Sequence, residues 1–331
     1  MILKVNQDDS FAATSGYLQN MTITHFPAMA LFQQELHSIG KDDPSQGSIG
    51  VTYQPPDGGE KSRLDIPLVP DTKGLEIIDI DLHQSPTKAY NMSSPYNDWF
   101  SRCFGYETML VYIGPHTRPV LGNLSPNTLP KGESQANSWL SSITNHIPTM
   151  KTLQQKTTDV IKFTDVAAYL VVTEESLKDV SSRLPDGEEM DITKFRPNIV
   201  LSGLPAAYDE DFWGGIALKH KADEGERDSV KDVQFILTQN CARCVSINID
   251  YTTGKQGKGE TGAVFKKLMK DRRVDKGTKY SPIFGRYGFL KSGMPVISTI
   301  TVGDKVRVTK RNIERTTFGK PLVFPYCDAL C

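Results

Sequence analysis

Short alternating apolar runs, cut apart by proline, glycine and polar loops, constrain this chain more than any other feature. Leu75 to Leu82 (LEIIDIDL) alternates between aliphatic and acidic residues, the period-two signature of a half-buried strand. Glu107 to Gly114, Ala168 to Val172, Ile199 to Leu201, Gly215 to Leu218, Val233 to Leu237, Val245 to Ile249, Val296 to Val302 and Lys305 to Val308 read the same way or as fully buried strands. Met21 to His25 alternates weakly and runs into Met29 to Phe32. Gln54 to Gly59 is a turn, with its Pro-Pro and Gly-Gly pairs. Three helices stand out: Tyr96 to Phe104, a helix opened by Thr173 with Glu174 and Glu175 in its first turn, and the basic amphipathic stretch Ala263 to Asp271. In the second of these, Leu177, Val180 and Leu184 form the core face. Many short strands and few helices predict an α+β, β-rich protein built on barrels.

A chain of 331 residues is expected to hold two domains at about 150 residues each. Residues 1–120 read as a first strand-rich domain, 140–310 as a second, and 311–331 as a tail. The Pro-, Ser-, Asn- and Thr-rich stretch from about Pro115 to Thr158 is the connection, with one short amphipathic piece near Trp139. Lys+Arg total 38 and Asp+Glu 39, a balance that offers no field for a polyanion and argues against nucleic-acid binding. No apolar run approaches the ~18 residues of a membrane-spanning helix. The first residues lack the basic and long apolar regions of a signal peptide, so the N-x-[ST] sequons at Asn20, Asn91 and Asn123 carry little weight. Five cysteines make no disulfide framework, and a reducing, cytoplasmic setting is expected.

Three motifs suggest chemistry. Gly257 to Gly262 spells G-x-G-x-x-G, but Tyr251 to Gly254 separates it from the preceding strand and no hydrophobic strand follows promptly, so a loop leading into a helix is the better reading. Glu260 stands where a phosphate-binding loop needs lysine. Cys241-Ala242-Arg243-Cys244 is a C-x-x-C. A redox pair would need a helix after it, whereas VSINID reads as a strand; a zinc site would need a second pair, for which only Cys327 and Cys331 offer themselves. A single functional thiolate beside Arg243, or two inert buried thiols, are the other readings. Third, Pro197 is expected to hold Phe195-Arg196 extended, placing Arg196, a bidentate phosphate binder, and the amide of Asn198 just before a strand.

Taken together and in order, Phe195 to Gly203 (FRPNIVLSG), Asn240 to Cys244, Asp250 to Gly254, Ser281 to Tyr287 and Val302-Gly303-Asp304 resemble the MOSC domain, shared by molybdenum cofactor sulfurases and amidoxime-reducing proteins. Thr22 to Leu31 resembles the T-x-R-x-x-P segment of the β-barrel domain that precedes MOSC in the amidoxime-reducing type. The resemblance covers about residues 15 to 317. It implies a pterin-dithiolene molybdenum cofactor with Cys244 as metal ligand and catalytic centre. It implies cofactor-binding roles for Arg196, Asn198, Arg243, Tyr287 and Asp165. It further implies reduction of amidoximes and N-hydroxylated bases, electrons from cytochrome b5 and its reductase, and a mitochondrial association, although no anchor is present in this chain. The rival readings are a sulfur-handling or cofactor-carrying protein of the sulfurase type, and a degenerate member without activity. Thr24 and Ala242 depart from the family pattern. So does the start of the chain, which reads as falling inside the N-terminal barrel and leaving an unpaired strand edge near residues 1–25.

Overall fold

The computed structural model describes residues 1–6, 17–37, 44–120, 125–126, 159–219, 232–294 and 299–319. Eighteen strands are described: β1 (Ile2–Val5), β2 (Leu18–Asn20), β3 (Phe32–His37), β4 (Ser48–Tyr53), β5 (Ser62–Pro67), β6 (Ile77–Leu82), β7 (Ser85–Asn91), β8 (Thr108–Tyr112), β9 (Arg118–Pro119), β10 (Val160–Ile161), β11 (Tyr169–Thr173), β12 (Ile199–Leu201), β13 (Trp213–Lys219), β14 (Val233–Ala242), β15 (Ile249–Asp250), β16 (Lys255–Gln256), β17 (Ile283–Leu290) and β18 (Lys305–Arg311). The protein is β-rich α+β, as its sequence predicts.

In the N-terminal part, a five-stranded sheet of order β2-β1-β8-β7-β6 packs beside the meander β3-β4-β5. Phe32 gathers the rings of Tyr53, Trp99, Phe100 and Phe104 within 6 Å, so the helix Tyr96–Phe104 closes this core with its aromatic face. The edge expected near residues 1–25 falls on β2, which ends the sheet, and not on the opening strand. β1 lies between β2 and β8, with Leu3 and Val5 buried. Met21 to His25 is a turn rather than a strand: Phe26 donates its backbone N–H to the Thr22 carbonyl, and Pro27 opens a 3-10 helix to Leu31. Proline has no N–H for a ladder but suits a first helical position.

In the C-terminal part, six strands of order β12-β11-β17-β14-β13-β18 curl into a nearly closed barrel. Only β11 and β12 run parallel, joined by the helix Glu174–Ser181, whose first turn is capped by the Thr173 hydroxyl. The helix Val264–Met269 plugs one side, with Val264 and Leu268 buried. Charge lies inside this barrel. Asp211 receives a bidentate pair from Arg272 at 2.9 Å, and Arg286 donates to Asn240, Thr316 and three main-chain carbonyls. The buried Glu210 carboxylate accepts from the Ser176 and Thr173 hydroxyls.

Several sequence expectations need correction. Val245 to Asn248 is a 3-10 turn, not a strand, because Ile247 is drawn into the core with Val264 and Leu268 while the Asn248 side chain accepts from the Phe265 N–H. Residues 299–304 form a turn, held by Thr301 and Asp304, where a strand was expected. Residues 312–319 are not a free tail: Phe318 is buried and donates its N–H to Asp275. The glycines at 257–262 follow a two-residue antiparallel strand, so no βαβ unit surrounds them. They serve a close chain crossing, since a Cβ on Gly262 would meet the Gly257 carbonyl oxygen. The stretch near Trp139 and the pair Cys327 and Cys331 lie outside the described residues.

Candidate functional site at the junction of the two sheets

The C-x-x-C motif lies at the end of β14. The ladder with β17 is irregular between Asn240 and Ala242, and the side chains from Cys241 onward alternate, with Cys241 and Arg243 buried and Ala242 and Cys244 half-buried. Cys241 is on the strand and is buried. Arg243 donates to its sulfur at 3.0 Å, and the Tyr287 hydroxyl bonds it as well. Burial nonetheless pushes the Cys241 thiol up, against the pull of Arg243 and Tyr287 toward the thiolate. Cys244 faces the other way. It begins the 3-10 turn in extended conformation and is half-buried. Its sulfur meets the Ser246 hydroxyl at 3.0 Å and, across the junction, the Thr24 hydroxyl at 3.5 Å. The two thiols therefore do not form a redox pair: one is sealed in the core, the other looks outward.

Arg243 lies between them. It is buried, donates to the Phe195 carbonyl at 2.9 Å, and rests over the Phe195 ring, which stacks on Phe284. Its Nε is buried with no partner among the described residues, a donor left for something else. Arg196 is exposed and follows the 3-10 helix Ile192–Phe195 in a left-handed conformation, φ 55°. The extended Phe195-Arg196 expected from Pro197 is not adopted. Proline disfavours the right-handed helical region at the preceding residue, and here the chain resolves that by turning left-handed. Asn198 is fixed by the strand start: its Oδ1 accepts from the Leu170 N–H while its own N–H donates to the Leu170 carbonyl.

Asp165 enters from the segment before β11. Desolvation raises its pKa, but the His83 hydrogen bond and the charges of His83, Arg196 and Arg243 prevail, holding the carboxyl below its usual range. Tyr287 stands deeper, buried in β17, and burial holds its hydroxyl well above the usual phenol range. Tyr251 feels Arg196, Arg243 and Cys244 from the side, and Lys194 lies over its ring. Of the residues singled out by sequence, Cys244, Arg243, Arg196 and Asp165 thus share one neighbourhood, with Tyr287 behind it and Asn198 engaged in the sheet. Sequence reading missed Ser246, Tyr251, His83 and Arg118. Only the hydroxyl two residues beyond Cys244 carried a local signal.

One half-buried thiol, two guanidiniums and an orphan Arg243 donor make a set that fits a soft metal held beside an anionic group. No cluster of three or more His, Cys, Asp or Glu side chains suited to a metal occurs among the described residues, so zinc finds no four-ligand site there.

The MOSC domain model matches residues 158–307. The human mitochondrial amidoxime-reducing component 1 is 32% identical over 149 residues, 45% of this chain and 39% of the relative. The mouse protein of the same name is 32% identical over 155 residues, 46% of this chain and 39% of its own length. The rat mitochondrial amidoxime reducing component 2 is 29% identical over 147 residues, 44% and 38% respectively. The match spans about two fifths of the length of these curated relatives. The matched stretch takes in most of the C-terminal barrel, the Cys244 turn and both arginines, and this stretch is what the chain shares with the MOSC domain.

Proposed function

We propose that this chain binds a pterin-dithiolene molybdenum cofactor at the junction and reduces N-oxygenated compounds, amidoximes and N-hydroxylated bases, with electrons from a separate redox chain of the cytochrome b5 and b5-reductase kind. The observation that carries this reading is the outward Cys244 thiol next to two arginines, one of them with an unsatisfied buried donor. Cys244 would complete the metal's ligand set. Arg196 and Arg243 would hold the phosphate and pterin, and the free amide nitrogen of Asn198 stands near β12 for a further contact. When bound, the cofactor supplies two-electron oxygen-transfer chemistry. Around it, the Ser246 and Thr24 hydroxyls steady the thiol, and Tyr287 with Cys241 backs Arg243. The two-domain division at 1–120 and 140–310 belongs to this reading, with the first region supplying Thr24. The relatives' names support a mitochondrial setting. No helix among the described residues is long and apolar enough to cross a membrane.

A second reading, a cofactor carrier or sulfur-handling protein, is favoured by Thr24, a hydroxyl where the resemblance expects a guanidinium. It requires bound molybdopterin without turnover. The test is metal and pterin analysis of the purified protein, followed by reduction of an amidoxime with reconstituted donors. Cys244→Ser should abolish turnover, because a hard hydroxyl replaces a soft thiolate. Cys241→Ser should keep most activity per molybdenum. An inactive Cys241→Ser beside an active Cys244→Ser would refute the assignment.

A further inference from the structure

Besides Thr24, two side chains reach the junction from outside the family-matched stretch. His83 sits in the two-residue turn between β6 and β7, where His83 and Gln84 both have positive φ, 57° and 62°. Such a turn ordinarily takes asparagine and glycine. A histidine persists there when its surroundings fix it, and an observed outlier of this kind points toward function. Its Nε2 lies 2.8 Å from Asp165 Oδ1, and the Asp165 side chain remains 68% exposed. The second side chain is Arg118, buried between the two parts. It donates to the Leu82 carbonyl at 3.3 Å, to the Lys162 carbonyl at 2.8 Å, and to the carbonyls of Thr164 and Asp165. One guanidinium thereby ties the residue before His83 to the main chain of Asp165. The charged and titratable groups that face this pair are Arg196 and Arg243 from the barrel, Cys241 and Tyr287 behind them, Arg118 from β9 and Asp81 from the N-terminal sheet.

We propose that His83 is a positioning residue: its Nε2–H holds the Asp165 carboxylate toward the junction, and the pair, once it has taken up a proton from solvent as imidazolium beside carboxylate, passes that proton through Asp165 to the departing oxygen of an N-hydroxylated substrate and returns to neutral imidazole beside carboxylate. This rests on the reading above. Reduction of an amidoxime breaks its N–O bond and yields amidine and water, consuming two electrons and two protons. The electrons come from the separate haem- or flavin-type donor. The pair supplies one proton and is recharged from solvent, and water supplies the other. Arg118 keeps both halves of the pair in register, so the N-terminal sheet contributes to the chemistry without touching the metal ligand.

The experiment has two parts. In the unloaded protein, long-range ¹⁵N correlation of the imidazole should show the neutral form of His83 as the Nε2–H tautomer, because that nitrogen must donate. The preference should be lost in D165N and restored in D165E. A mixed tautomer indifferent to D165N overturns the proposal. In the loaded enzyme, H83Q keeps a donor but cannot carry the extra proton. Its kcat for an amidoxime should fall about a hundredfold, the scale of general acid catalysis, with KM little changed. An H83Q enzyme with the wild-type kcat overturns the proton role alone. Wild-type protein that holds no molybdopterin overturns the reading of the preceding section and this role with it, whereas the tautomer measurement reports separately on the His83–Asp165 contact.

Discussion

The two halves of the molecule solve burial in opposite ways. The N-terminal sheets close over a neutral core in which Phe32 is ringed by Tyr53, Trp99, Phe100 and Phe104. The C-terminal barrel has an apolar core as well, but it also seals in Asp211, Glu210, Arg272 and Arg286. An apolar core loses stability in proportion to the atoms removed, whereas a buried charge stripped of its partner is left with its full desolvation cost. The functional side chains lie where the two styles meet. Thr24 and His83 come from the neutral half, and Cys244, Arg196 and Arg243 from the half that already accommodates charge.

The contrast can be broken most directly at Asp211. Asp211→Ala strands Arg272 and Arg315, and chemical denaturation should show a loss of about 3–5 kcal/mol. In the neutral half, Leu110→Ala beside β1 should cost about 2–3 kcal/mol, mostly as a cavity. If the leucine change proves the costlier one, the contrast fails. A pH series sharpens it. Burial raises the Glu210 pKa despite the Ser176 and Thr173 hydroxyls that donate to its carboxylate. A carboxyl raised in the folded state favours the protonated form, so its contribution is greatest below the ordinary carboxylate range and falls as pH rises through the folded value. Asp209 behaves oppositely. Its Arg311 partner lowers its pKa, so its contribution is present at neutral pH and fades on acidification. Glu210→Gln should therefore flatten the stability profile above the ordinary carboxylate range, and Asp209→Asn below it. The smallest effect belongs to the surface pair itself: Arg311→Ala on the exposed edge strand β18 should shift stability by no more than about 1 kcal/mol.

Elements governed by local pattern were legible in the chain. The helix Tyr96–Phe104 and the strand ending at Leu82 fall where periodicity put them, and Thr173 caps its helix as its side-chain chemistry requires. Where local preference competed with tertiary packing, packing prevailed. The β-branched VSINI became a 3-10 turn because burying Ile247 against Val264 and Leu268 outweighs a strand preference of small magnitude. Pro27 did the same to Met29–Leu31 from within the sequence.

The site divides along the same line. The spacing of Cys241 and Cys244 and the Arg-Pro-Asn before β12 are fixed in the order of residues, and they identify candidate groups and the family they resemble. That the two sulfurs face opposite ways follows from their three-residue offset on extended chain, and which of them is buried is decided by packing in the sheet where β14 pairs with β17, segments some forty residues apart. That Thr24 reaches Cys244 across 220 positions, and that His83 and Arg118 converge on Asp165, is likewise settled only when two separately folded sheets meet. Sequence determines what each side chain can donate, accept or ligate. Hydrogen bonds and ion pairs form over about 3 Å, so only the tertiary fold determines which of those capacities meet.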